Sequence, residues 1–189
     1  MQRCTLSVLA ALVAALPLAT QADTQGDYSF IELNHVDTEL DGFDDDGEGF
    51  ELRGSVAFHE SFFAFAEYQD LDYDFGDVTT FKVGVGGHWP INDTFDVVGR
   101  FGIVQHEVDV DRLRFDDDED GFILGGRVRG KVMPRLELEG GFDYVDLDSG
   151  DDASIVLEGR YFFVDNVSGG LRLELGDADL IGIGARLTF

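Results

Sequence analysis

Apolar residues return at every second position along most of this chain. Phe50, Leu52, Gly54, Val56 and Phe58 form one parity, against Glu51, Arg53, Ser55, Ala57 and His59 on the other. A period of two is that of a β-strand, whose successive side chains leave opposite faces. The alternation recurs with Phe81, Val83, Val85, Gly87 and Trp89 against Lys82, Gly84, Gly86 and His88. It recurs again with Phe122, Leu124, Gly126, Val128, Gly130 and Val132 against Arg127, Arg129 and Lys131. Further alternating segments cover Tyr28 to Asp37, Phe62 to Gln69, Phe95 to Val108, Leu136 to Val145, Ser154 to Phe163, Val167 to Leu175 and Leu180 to Phe189. The pattern predicts an all-β chain of ten strands; merging the ragged first segment with its neighbours would give eight.

The connections alternate in character. His59 to Ser61, Pro90 to Asp93, Met133 to Arg135 and Val164 to Asn166 are tight, whereas Glu39 to Glu48, Asp70 to Asp77, Asp109 to Asp120 and Asp146 to Asp152 are longer and acidic. Short turns on one side and long loops on the other are the signature of an up-and-down transmembrane barrel of the bacterial outer membrane. Alternation alone would also suit a water-soluble barrel with its apolar parity inside, so the facing needs separate support. One end of the apolar parity carries Phe58, Phe62, Trp89, Phe95, Tyr161, Phe163 and Phe189; the other carries Phe50, Tyr68, Phe81, Phe122 and Tyr144. Two aromatic girdles match two membrane interfaces. Eight glycines on the same parity, Gly54, Gly87, Gly99, Gly126, Gly130, Gly140, Gly159 and Gly169, would leave a soluble core poorly filled, whereas lipid tails fill such notches.

Residues 1–22 stand apart. Arg3 is their single charge, Leu6 to Leu18 is apolar but too short for a membrane helix, and Thr20, Gln21 and Ala22 resemble a cleavage site. This predicts a cleaved signal peptide at 1–22 and one barrel domain at 23–189. Cys4, the only cysteine, would leave with the leader, so no disulfide is expected. The whole chain carries 39 acidic and 13 basic residues, a formal charge of −26, and loss of Arg3 makes the mature balance more acidic still. Such a surface repels nucleic acid. The 17 phenylalanines and 24 glycines, arranged in alternation, argue for folded strands rather than for an acidic disordered chain.

The closing segment Ile181, Ile183, Ala185, Leu187 and Phe189 resembles the last strand of outer-membrane proteins. That resemblance implies reading of the terminal aromatic residue by the barrel-assembly machinery. The mature chain as a whole is similar to small OmpA- and OmpX-like barrels and to porin-family outer-membrane proteins of xanthomonads and relatives. The resemblance implies a fold and a place in the Gram-negative envelope, and it brings no catalytic motif.

With the apolar parity in lipid, nine of the twelve mature basic residues point into the lumen: Arg53, Lys82, Arg100, Arg127, Arg129, Lys131, Arg160, Arg172 and Arg186. The same lumen should receive Glu32, Glu51, Glu67, Asp96, Glu137, Glu139, Asp143, Glu158 and Glu174, a near-neutral set able to pair across strands. Ten strands make a barrel little wider than the eight-stranded kind that side chains fill, while open channels are typical of about 16. The outer connections, by contrast, hold 23 acidic residues against Arg112 and Arg114. Asp116, Asp118, Asp120 and Gly121 begin a calcium-loop pattern, but Arg127 stands where its bidentate glutamate belongs, which excludes an EF-hand. Loosely bound Ca²⁺ or Mg²⁺ on Asp44, Asp46, Asp116, Asp118 and Asp120 is the remaining metal expectation; no other cofactor is expected.

Two histidine neighbourhoods, His106 beside Glu107 and His35 near Asp37, raise a rim hydrolase as a third reading, but consecutive residues of a strand face opposite ways. His59 and His88 both fall on the inward parity near the tight turns and are expected to be neighbours. No Ser/His/Asp signature or phosphate-cradling loop appears, and no enzymatic activity is expected. The leading expectation is a structural or surface-interaction barrel with acidic outer loops, the runner-up a narrow cation-selective pore. The mature protein should fractionate with the outer membrane and run differently on gels when boiled and unboiled, because a closed ladder resists detergent. Recovery as a soluble periplasmic protein would contradict this.

Overall fold

The computed structural model describes residues 28–40, 46–73, 76–110 and 115–189. The proposed leader lies outside them, as do Asp44, Arg112 and Arg114. Ten strands follow in order: β1 (Phe30–Leu40), β2 (Asp46–His59), β3 (Phe62–Tyr73), β4 (Gly76–Pro90), β5 (Phe95–Val110), β6 (Phe115–Met133), β7 (Leu136–Leu147), β8 (Gly150–Val164), β9 (Val167–Leu175) and β10 (Ala178–Thr188). Each pairs antiparallel with its sequence neighbours, and β1 pairs with β10, from Phe30 opposite Thr188 to Leu40 opposite Ala178. The result is a closed up-and-down barrel in which every described strand is paired on both sides, as a bilayer requires.

The strands are tilted. Stepping across the ladder from Phe30 leads to Ser55, Phe65, Gly84, Gly102, Ile123, Val145 and Asp152. A residue at the start of β1 is thus connected, strand by strand, to the far end of β8, which is the stagger that barrel closure imposes. Register slips by bulging at three places, Ala57/His59, Lys131/Met133 and Phe162/Val164, each beside a tight turn. Bulges at barrel rims turn side chains away from the regular alternation.

Burial follows parity, with the usual sense inverted. Ile31, Leu33, Phe101, Ile103, Leu171, Ile181 and Ile183 are exposed on the outside, while Glu32, Arg53, Glu67, Arg127, Glu158 and Arg172 are buried. The apolar parity is therefore the lipid-facing one.

Three of the acidic connections are mostly strand rather than loop. Pairing continues through Asp70 opposite Thr79, Glu107 opposite Asp118, Asp109 opposite Asp116 and Asp146 opposite Asp151. Like charges opposite each other, as at Asp146 and Asp151, weaken such pairs. The compensation lies on the inward parity of the same stretches, where Leu71, Val78, Val108, Val145 and Leu147 are buried or half-buried against other apolar residues. The ladder beyond the membrane is held from inside, so loss of outward alternation did not mark the end of a strand.

Leu171 is the central residue of β9 and is 57% exposed between Gly159 of β8 and Ile183 of β10. Leu171→Arg should lower unfolding free energy in lipid by about 2–4 kcal/mol, the cost of a cation at the bilayer midplane. Urea titration of the refolded barrel in vesicles checks this, and near-neutrality would place the position in water.

Candidate functional site: the ion-paired lumen

The inward positions of the middle of the barrel carry arginine and carboxylate from almost every strand. Alternate residues Glu137, Glu139 and Asp143 of β7 face Arg127 and Arg129 of β6 and Arg160 of β8 through ordinary cross-strand contact. Arg129 Nη2 and Arg160 Nη1 each lie 3.0 Å from a Glu137 oxygen. Arg127 donates to Glu139 at 3.0 Å and to Asp143 at 2.6 Å. Arg100 grips Asp143 with two parallel bonds, 3.1 Å from Nε and 2.7 Å from Nη2, and donates to Glu67 at 2.6 Å. Such forked contacts are what the rigid guanidinium supplies and an ammonium does not.

Other contacts are chords across the lumen. Arg53 of β2 donates to Glu158 of β8 at 2.8 Å, and Arg172 of β9 donates to Glu51 of β2 at 2.5 Å. Glu158 is the hub: Arg127 and Arg172 lie 3.4 Å and 3.8 Å from it, and Arg160 also touches it. Glu32 gathers Arg53 at 3.2 Å, Arg160 at 3.5 Å and Arg186, while Asn34 donates to both Glu32 and Glu51 at 3.0 Å. Arg172 also binds Glu174 at 2.6 Å, and Ser154 donates to Glu174 at 2.7 Å. Removing an ion from water costs several kcal/mol, and sharing of partners, as at Glu158, Glu32 and Arg127, offsets that cost.

Apolar side chains also enter the lumen around the belt, which the parity reading missed. Toward the outside, Val36, Leu71, Val78 and Leu180 form a buried cluster with Tyr73 and Val108 against it. A second cluster joins Tyr28, Phe63, Phe65, Val98, Val104 and Ile123. The signal in the sequence is the apolar doublet: Phe62–Phe63, Val97–Val98, Ile103–Val104 and Ile123–Leu124 put an apolar residue on each face. Inward glycines make room for these side chains. A Cβ at Gly86 would sit 2.2 Å from the Phe63 ring, and one at Gly125 would sit 2.2 Å from Asp143 and 2.8 Å from Arg100. A cavity of about 50 Å³ beside Tyr28, Arg53, Ser55, Phe65 and Arg100 has room for one or two waters.

Several expected site residues lie elsewhere. Lys131 shares the inward parity but sits exposed at the tight-turn end, its Nζ 4.9 Å from the centre of the Phe162 ring. Lys82 is inward and half-buried. His59 and His88 are not neighbours as expected: the bulge at Ala57/His59 turns His59 onto the Phe62 ring at 5.5 Å, whereas His88 stacks on Tyr28 at 4.0 Å. Asp96 completes that inner group, accepting from the Tyr28 hydroxyl at 3.3 Å. His106 meets Thr80 Oγ1 at 3.0 Å, but the next inward residues toward the outside, Val78 and Val108, belong to the apolar cluster above it.

The residues of the metal expectation on the acidic stretches fall largely at strand positions. Asp116 and Asp118 lie within the backbone of β6, and Asp120 accepts from Gln105 at 3.1 Å on the outer surface. Asp46 opens β2 and is exposed.

An outward apolar band, a closed ladder and a charged interior define the class. The family model of the outer membrane protein beta-barrel domain matches residues 5–163. The chain belongs to this family. Its place is the bacterial outer membrane. Solved structures of similar fold include KdgM porin in complex with disordered oligogalacturonate, at 11% identity and TM-score 0.51, covering 85% of this chain and 99% of that one. The attachment invasion locus protein Ail of Yersinia pestis matches at 14% identity and TM-score 0.45, over 85% and 95% of the two chains. The N-terminal barrel domain of Pseudomonas aeruginosa OprF matches at 8% identity and TM-score 0.47, over 85% and 98%. No curated protein matches in sequence.

Glu158→Gln keeps the shape of the hub and removes its charge from four guanidinium groups. It should cost about 3–5 kcal/mol of unfolding free energy in lipid vesicles, whereas Glu107→Gln on the exposed outer surface should stay within about 0.5 kcal/mol. Equal effects would mean that the lumen is well solvated.

Proposed function

We propose that this barrel is a closed, non-conducting component of the outer membrane that reinforces the envelope and presents an acidic outer end to the surroundings. The observation that carries the reading is the pair of chords Arg53–Glu158 and Arg172–Glu51, which run through the lumen from β2 to β8 and from β2 to β9. An ion on its way through would have to break these contacts and then part the apolar layer around Val36, Leu71 and Leu180. Selective pores hold ions weakly enough to release them and keep a continuous polar path. The filled lumen argues against the narrow cation-selective pore, and the apolar residues Val78 and Val108 above His106 argue against a rim hydrolase.

The outer end acts through its field. Its carboxylates attract cations, including loosely held Ca²⁺ or Mg²⁺, and repel polyanions, so the oligogalacturonate found with KdgM porin is an unsuitable model for a ligand here. The C-terminal strand has its own role: β10 closes the barrel on β1, and its end at Phe189, half out of the surface, is the feature the assembly machinery would read.

Planar-bilayer recording tests the reading. The refolded protein should give no stable unitary steps, while the combined variant Arg53→Ser, Arg127→Ser, Glu158→Ser, which clears the hub, should raise conductance. Reproducible cation-selective steps from the unaltered protein would replace the closed barrel by the pore.

A further inference from the structure

A group of donor atoms outside the lumen has no part in the ion-paired core. His35, Asp37 and Glu48 are all exposed, and one donor atom from each lies within 4.8 Å of the other two. The ladder brings them together: Asp37 pairs with Glu48 across β1 and β2, His35 is the preceding outward residue of β1, and Phe50 faces His35. The cluster therefore sits just beyond the outer aromatic girdle, on the outside of the barrel.

The orientation of the histidine is fixed from behind. His35 Nδ1 lies 3.0 Å from the carbonyl oxygen of Gly49. A carbonyl only accepts, so Nδ1 carries the proton and donates, and in the neutral ring Nε2 is left with a lone pair. Nε2 is 3.8 Å from Asp37 Oδ1 and 3.6 Å from Glu48 Oε1. These separations are too long for hydrogen bonds. Two ligands bonded at about 2.1 Å to one tetrahedral ion lie about 3.4 Å apart, close to what is observed. A backbone carbonyl on the second ring nitrogen is also the usual outer partner of a metal-bound histidine.

We propose that His35, Asp37 and Glu48 form a surface site for a zinc-class divalent ion, with the remaining coordination open to the surroundings. Imidazole selects borderline transition metals, whereas carboxylates alone suit Ca²⁺ and Mg²⁺, so this site differs in kind from loose cation attraction by the outer acidic stretches. Those stretches assist by raising the local cation concentration. The site uses no lumenal residue and stands whether or not the barrel conducts.

Calorimetric titration of the refolded, chelator-stripped barrel with Zn²⁺ alone tests this. One saturable site per chain is expected, weakening on acidification because the proton competes for the imidazole. His35→Ala should weaken it by at least about tenfold, as should Asp37→Asn combined with Glu48→Gln, while Glu107→Gln leaves it unchanged. All these side chains are exposed, and unboiled gel mobility reports that each variant is folded. Absence of a saturable site, or one that survives His35→Ala, would overturn the proposal and leave His35 as a surface imidazole between two carboxylates.

Discussion

The structure depends on one constraint: a chain crossing lipid must satisfy every backbone donor and acceptor internally and turn apolar side chains outward. Closure of β1 on β10 meets the first demand. The second uses up the apolar parity of every strand on the outside, so the interior must be filled from the other parity. Here that filling is ionic. Arginines and carboxylates facing each other across a narrow lumen occupy the place of a hydrophobic core, at a desolvation cost that their multiple contacts offset.

The same constraint explains the layering along the barrel. Where lipid lies outside, the inward positions carry charge: Arg53, Glu67, Arg100, Arg127, Glu158 and Arg172. Beyond the girdle, where water and counterions bathe the outside, the pattern reverses, with acidic residues outward and Val36, Leu71, Val78 and Leu180 inward. That outer segment is built like a small water-soluble barrel stacked on a membrane one. Its apolar filling closes the ionic belt on the side of the surroundings, and its exposed wall is where His35, Asp37 and Glu48 meet.

Strand number and facing were legible because lipid imposes a long, regular alternation and two aromatic girdles, as Phe50, Tyr68 and Phe81 at one end and Phe58, Phe62 and Trp89 at the other illustrate. Strand ends were less legible. Asp109 to Asp120 reads as a loop when only outward polarity is followed, yet β5 and β6 continue through most of it because Val108 and the backbone ladder hold the inner side. The expected pairing of His59 with His88 failed for a related reason: a bulge shifts parity by one residue, and no composition signal marks it.

The sequence by itself determined which residues face lipid and which face inward, since that depends only on period and parity. It also determined that the inward set is nearly balanced in charge. Tertiary structure alone decided which arginine meets which carboxylate. Arg53 and Glu158 are separated by 105 residues, and Arg172 and Glu51 by 121. Their meeting depends on the stagger of ten tilted strands and on the reach of two long side chains across the lumen. Parity names the face of a strand, but partners across a barrel are set by its closure, and closure is a property of all ten strands together.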